Sequence, residues 1–206
     1  MERLAAQGMK FTNAYSCPLC SPGRTSLMTG KTSARHRVTN WTAVNAPTLN
    51  EYSGGLPHIR APQWNMAGMS QQEIPLPRVL KDAGYRTITV GKAHFAPSNQ
   101  LYSNPANLGF DVNIAGCSAG QPASYRGEDQ FGSGNTHVPD LEEYYGTTAA
   151  EDRKRNFLTN ALTLEMKKQI KAAVDENAPF FAYMTHYAVH QRHDQPDPNG
   201  DYDTYP

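Results

Sequence analysis

Twice along this chain a helical stretch runs into a strand-like one, and that pairing constrains the fold more than any other feature. Glu73–Ala83 carries Val79, Leu80 and Ala83 at helical spacing and stops at Gly84, where a C′ glycine belongs. Tyr85–Val90, rich in Thr, Ile and Val, follows as a strand that ends at Gly91. The second unit is longer. Leu158, Leu162, Met166, Ile170 and Val174 recur every four residues through Asn156–Glu176, and Asn177 and Pro179 close that helix. Phe180–Met184 (FFAYM) is then a short, nearly all-apolar strand of the kind buried on both faces. Helix then strand, repeated, predicts an α/β fold with a largely parallel central sheet.

Much of the remainder reads as loop. Residues 42–72 and 96–150 hold most of the Gly, Pro and Asn, and loops this long are usually functional walls or lids. Residues 1–9 read as the tail of a helix and Phe11–Tyr15 as a short strand. A helix with no strand before it is unusual at the start of an α/β domain. The expectation is therefore a partial domain, with its first strand outside residues 1–206. The 19 Lys+Arg balance 19 Asp+Glu, which argues against a nucleic-acid-coating protein, since such a protein carries a basic excess. No apolar run approaches the ~18 residues of a membrane span, and MERLAAQG carries no basic-then-apolar leader. Three cysteines form no disulfide framework.

Chemistry concentrates in Cys17–Gly30, CPLCSPGRTSLMTG. Ser21 can cap a helix, Pro22 fits its first turn and Gly30 can end it. Cys20 then sits just ahead of a helix N-terminus, where free N–H groups favour an anion, with Arg24 one turn on. Cys17 and Cys20 form a C-x-x-C, but zinc would need a second ligand pair, and Cys117 has no partner nearby in sequence. Further on, Lys92, His94, His186 and His190 all fall just past the carboxyl ends of predicted strands, the edge where open α/β sheets bind ligands. A lysine charge and an arginine fork suit an oxyanion, and a histidine can deliver a proton near neutral pH.

Three strings resemble the type I, formylglycine-dependent sulfatase family. Cys20-Ser21-Pro22-Gly23-Arg24 with Thr29-Gly30 resembles C-x-P-x-R followed by T-G. Gly84-Tyr85-Arg86-Thr87 with Gly91-Lys92-Ala93-His94 resembles G-Y-x-T-x-x-x-G-K-x-H. Thr185–His190, after the apolar strand, is similar to the family's histidine-rich third region. RHRVTNWT (35–42) and GFDVNIAG (109–116) look like bacterial members acting on sulfated sugars.

The resemblance implies an alkaline-phosphatase-like α/β fold and a sulfuric ester hydrolase acting on a sulfated carbohydrate or aryl sulfate. It implies conversion of Cys20 to formylglycine by a maturation enzyme, after which a hydroxyl of the aldehyde hydrate attacks sulfur. By the same resemblance Arg24 holds that hydrate, His94 orients it, and Lys92 and His190 bind the sulfuryl group and help the alcohol leave. The resemblance also implies a divalent cation, normally calcium. Of its ligands only Cys20, as formylglycine, has a counterpart in residues 1–206; the family's paired aspartates and later Asp-Asn pair have none. The full-length protein is expected to be periplasmic or secreted. His186 reads equally as a site residue or as packing beneath the site, His193 as solvent-facing, and His36, His58 and His137 carry no role. Gly23 stands where Ser, Ala or Thr is usual, and Ala93 where Trp is usual. A phosphoester or phosphonate hydrolase of the same superfamily is the rival activity, and an inactive fragment or a small metal module the rival class.

Overall fold

The computed structural model describes residues 2–42, 67–146 and 156–190. Its centre is a three-stranded, all-parallel sheet in the order β2–β1–β3, from Val112–Ile114 (β2), Arg86–Gly91 (β1) and Phe180–Thr185 (β3). Among the described residues, helices α1 (Glu2–Gln7), α2 (Cys20–Thr29), α3 (Ser33–His36), α4 (Leu76–Asp82) and α5 (Leu158–Asp175) complete the regular structure, with short 3₁₀ turns through 101–144. Both helix–strand units expected from the sequence are present, in parallel, so the chain is an α/β partial domain.

Strand alternation divides the core in two. Ile88 and Val90 of β1, with Phe180, Ala182 and Met184 of β3, pack with Leu158, Ala161, Leu162 and Met166 of α5. Phe181 and Tyr183 point to the other face and pack against Met28, Phe95, Leu108 and Phe110. Both faces of the sheet are therefore covered, as parallel sheets require. Burial of side chains the size of Leu158 and Leu162 contributes about 1.5–3 kcal/mol each before entropy is counted.

Several expectations are corrected. Phe11–Tyr15 is not a strand: Phe11 and Tyr15 are exposed, and no described strand pairs with the segment. The helix expected over Glu73–Ala83 begins only at Leu76, because Pro75 and Pro77 lack N–H groups and are tolerated only at the cap and first turn. In α5 the apolar residues step by four, about 40° too far each time for a 3.6-residue turn, so the stripe slides off the core face. Leu158 and Leu162 are fully buried while Val174 is exposed, and Ala173 takes the inward place. Strand β3 is half-buried at every residue rather than buried on both faces, since among the described residues it has a neighbour on one side only.

Candidate functional site

Topology brings the predicted site together at one edge. Lys92 and His94 follow β1, and His190 follows β3, so the parallel strands deliver both segments to the same end of the sheet. Backbone bonds fix the juncture: the Lys92 N–H donates to the Thr185 carbonyl (2.8 Å), and the Lys92 carbonyl accepts from the Thr185 hydroxyl (2.8 Å). Gly91 makes this possible. Its φ is +105°, and a Cβ there would lie 1.8 Å from the Thr185 oxygen.

Helix α2 supplies the other half of the site. Cys20 is its first residue, with Leu19 at the N-cap, and Gly30 ends it in the left-handed conformation (φ 65°). Ser21 therefore does not cap the helix. Its side chain is fully buried, and its Oγ accepts from the Thr42 N–H (3.1 Å) and lies 3.3 Å from the Thr42 hydroxyl. Arg24, one turn on from Cys20, donates to the Lys92 carbonyl (2.5 Å), which ties α2 to the strand end. Gly23 packs beneath the preceding loop, where a Cβ would meet the Cys17 carbonyl at 3.1 Å. A larger residue at 23 would push that loop outward by a few tenths of an ångström.

Cys20, Arg24, His94 and His190 line one open cleft of about 920 Å³, shared with Trp41, Thr42, Gly120 and Tyr183. No carboxylate is among its described lining residues. Lys92 lies just behind this surface, 3% exposed. Burial lowers its pKa to about 8; the Cys20 side chain opposes that shift and the Arg24 charge adds to it. The lysine thus senses both groups electrostatically. His94 is nearly buried, and burial lowers its pKa to about 4; a bond to the Thr42 backbone opposes the shift, while Lys92, Arg24 and His190 reinforce it. At neutral pH His94 is an uncharged imidazole beside two cations. Its backbone is left-handed (φ 51°), a conformation that costs of order 1 kcal/mol, and its N–H is held by the Cys117 carbonyl (2.9 Å).

His186 is exposed and does not line the cleft, so it neither joins the site nor packs beneath it. Tyr187, its neighbour, is the buried residue, donating to the Ala115 carbonyl (3.0 Å). His36 is buried away from the cleft; its Nδ1 accepts from the Val38 N–H and its Nε2 meets Ser26 Oγ at 2.9 Å. His137 pairs with the Tyr145 hydroxyl (2.9 Å), and His58 and His193 lie outside the described residues. All three cysteines are free, and no three His, Cys, Asp or Glu side chains converge among the described residues. The described residues thus form neither a zinc site nor an oxygen cage for a hard cation.

Four contributors escaped the sequence reading. Tyr183 lines the cleft against Arg24, from a strand read only as buried apolar core. Tyr125 is fully buried and its hydroxyl donates to the His190 carbonyl (3.0 Å). Gly120 lies against the His94 ring, where a Cβ would sit 2.7 Å from Cε1. Thr42 accepts from His94. Strand alternation places Tyr183 on the face opposite Met184, a usable signal; the other three are set by distant chain crossings and leave none.

Comparison with known proteins gives one family. The Sulfatase family model matches residues 1–206. The chain is 34% identical over 199 residues to N-acetylgalactosamine-6-sulfatase of Mus musculus, covering 92% of this chain and 34% of that protein. It is 27% identical over 197 residues to Arylsulfatase J of Mus musculus, covering 92% of this chain and 28% of that protein. Its fold is similar to that of Ps i-CgsB in complex with k-i-k-neocarrahexaose, with a TM-score of 0.60 at 22% identity over 93% of this chain and 39% of that one. The putative sulfatase yidJ from Bacteroides fragilis also shares the fold, with a TM-score of 0.52 at 20% identity over 100% of this chain and 39% of that one. The chain thus spans about a third of the length of these relatives.

Proposed function

Because the chain belongs to the sulfatase family, we propose that the full-length protein hydrolyses sulfate esters of a sulfated carbohydrate or an aryl alcohol, with Cys20 matured to formylglycine. One observation carries the reading. Cys20 opens a helix into a cleft that also receives Arg24, His94 and His190, backed by the buried charge of Lys92. Relatives named as an N-acetylgalactosamine-6-sulfatase and an arylsulfatase support both substrate classes.

Formylglycine, once formed, supplies a hydroxyl nucleophile on its hydrate. The chain's own residues do the rest. Arg24, anchored on the Lys92 carbonyl, presents its fork to oxygens at residue 20. Lys92 acts as a fixed point charge for the sulfuryl oxygens, strengthened by the low-dielectric wall that buries it. Neutral His94 offers a lone pair that accepts a hydrogen bond and so orients the group at residue 20. His190, which lines the same cleft, donates a proton to the departing alcohol oxygen. Family membership also implies a divalent cation, calcium in this proposal, whose carboxylate ligands are not among the described residues. The maturation enzyme would act on the Cys20-Ser21-Pro22-Gly23-Arg24 segment, and periplasmic or secreted placement accords with a glycan substrate.

Two measurements on the full-length protein test this. Peptide mass spectrometry should find the aldehyde on Cys20 and not on Cys17, which lacks the proline and arginine at matching offsets. Parallel assays with nitrophenyl sulfate and nitrophenyl phosphate should show the sulfate ester turned over faster. Equal or greater phosphatase activity would favour the phosphoester hydrolase instead.

A further inference from the structure

Ser21 occupies the variable second place of the cysteine motif and touches no reacting atom in the reading above, yet it is fully buried. A buried hydroxyl needs a hydrogen-bond partner. Here it accepts from the Thr42 N–H at 3.1 Å, the bond that seats residue 42 against α2. Thr42, itself 1% exposed, turns its carbonyl to Nε2 of His94 at 2.9 Å.

A carbonyl oxygen only accepts, so the nitrogen facing it must carry the hydrogen. The ring carries a single N–H, because a second one, at Nδ1, would be buried with no acceptor among the described residues. The proton at Nε2 therefore leaves Nδ1 as a bare lone pair, and Nδ1 is buried without a hydrogen-bond partner among the described residues. In the opposite tautomer, two oxygen lone pairs would face the lone pair of Nε2, and a buried N–H at Nδ1 would go unmet. Gly120 gives the ring its room, since a Cβ there would lie 2.7 Å from Cε1.

We propose that Ser21 and Thr42 form a positioning relay that fixes His94 as the Nε2–H tautomer, so that the second residue of the cysteine motif sets which nitrogen of the site histidine is free to accept. The catalytic meaning of this tautomer rests on the sulfatase reading; the tautomer itself does not. Neither Ser21 nor Thr42 is a catalytic residue, because each acts through His94.

The test uses the full-length protein labelled with ¹⁵N-histidine, with the His94 signals assigned by their loss in His94→Gln. In the wild type at pH 7, long-range ¹H–¹⁵N correlations should show a protonated Nε2 and a bare Nδ1. Ser21→Ala should replace this pattern with averaged tautomers and lower kcat on nitrophenyl sulfate roughly tenfold, with KM within about twofold. Ser21 lies inside the maturation motif, so kcat is taken per formylglycine measured by mass spectrometry. Thr42→Val keeps the backbone N–H and carbonyl and should keep the tautomer. A protonated Nδ1 or a cationic ring in the wild type overturns the relay, even if Ser21→Ala fails to fold. So does a Ser21→Ala protein with the wild-type tautomer and kcat. A correct tautomer in a protein that hydrolyses no sulfate ester leaves the relay standing and removes the sulfatase reading.

Discussion

Lys92 and His190 belong to one site in the proposal but answer to different physics. Lys92 is a buried cation whose pKa of about 8 lies below the ordinary 10.5. Between those values the unfolded chain binds a proton that the folded chain does not, so stability rises with pH across about 8 to 10.5 and the full penalty applies at pH 7. Its size is on the order of 3 kcal/mol at 1.36 kcal/mol per pKa unit. Lys92→Met should therefore raise the Tm at pH 7, abolish the gain in stability between pH 8 and 10.5, and destroy turnover. A lowered Tm would show that the charge is matched inside the fold. His190→Ala should leave the Tm nearly unchanged and cost roughly 10²–10⁴-fold in kcat on a sulfated sugar, and much less on nitrophenyl sulfate, whose leaving group needs no proton. Equal losses on both substrates would make His190 an anion-site residue. Both residues were legible in the sequence because they sit at fixed short spacings after strands. Thr42, Gly120 and Tyr125 were not, since each matters through a contact 26 to 65 positions away along the chain.

At the scale of elements, periodicity found both helix–strand units and missed what proline and twist did to them. The i+4 pattern in α5 is real for its first three turns, and Ala173 replaces Val174 only because a helix turns by 3.6 residues. Strand β2, three residues long, is too short for any period to show, and only its pairing to Ile88–Val90 defines it. The β1–β3 juncture carries the site and hangs on Gly91. Gly91→Ala combines a left-handed φ with backbone contact at 1.8 Å, so strands must separate where Lys92 begins. The expected cost is about 3 kcal/mol in urea unfolding, with activity lost along with it. By contrast Gly84→Ala meets open space and carries only the cost of its φ of +86°, about 1 kcal/mol, with activity retained. Equal losses for the two would mean that the juncture relaxes without harm.

At the scale of the whole molecule, the candidate site sits at the end of a sheet in which, among the described residues, β3 pairs on one side only. Arg24 and Lys92, the anion-binding groups of the proposal, come together, while no cluster of three acidic, histidine or cysteine side chains forms among the described residues. A hard divalent cation takes several oxygen ligands, and a single group at residue 20 cannot supply them. Strand β3 is half-buried throughout, and Leu4, Met9, Phe11 and Tyr15 are exposed. Both features bear on residues 1–206 expressed by themselves. Even with Cys20 converted, this chain should hydrolyse no nitrophenyl sulfate above background, and millimolar calcium should leave its Tm unmoved, because binding to the folded state alone would raise it. The full-length protein under the same conditions should turn over substrate and gain thermal stability from calcium. Sustained turnover by residues 1–206, or a calcium-dependent rise in their Tm, would require a ligand set supplied by this chain and would overturn the proposal that the cation's carboxylate ligands lie outside it.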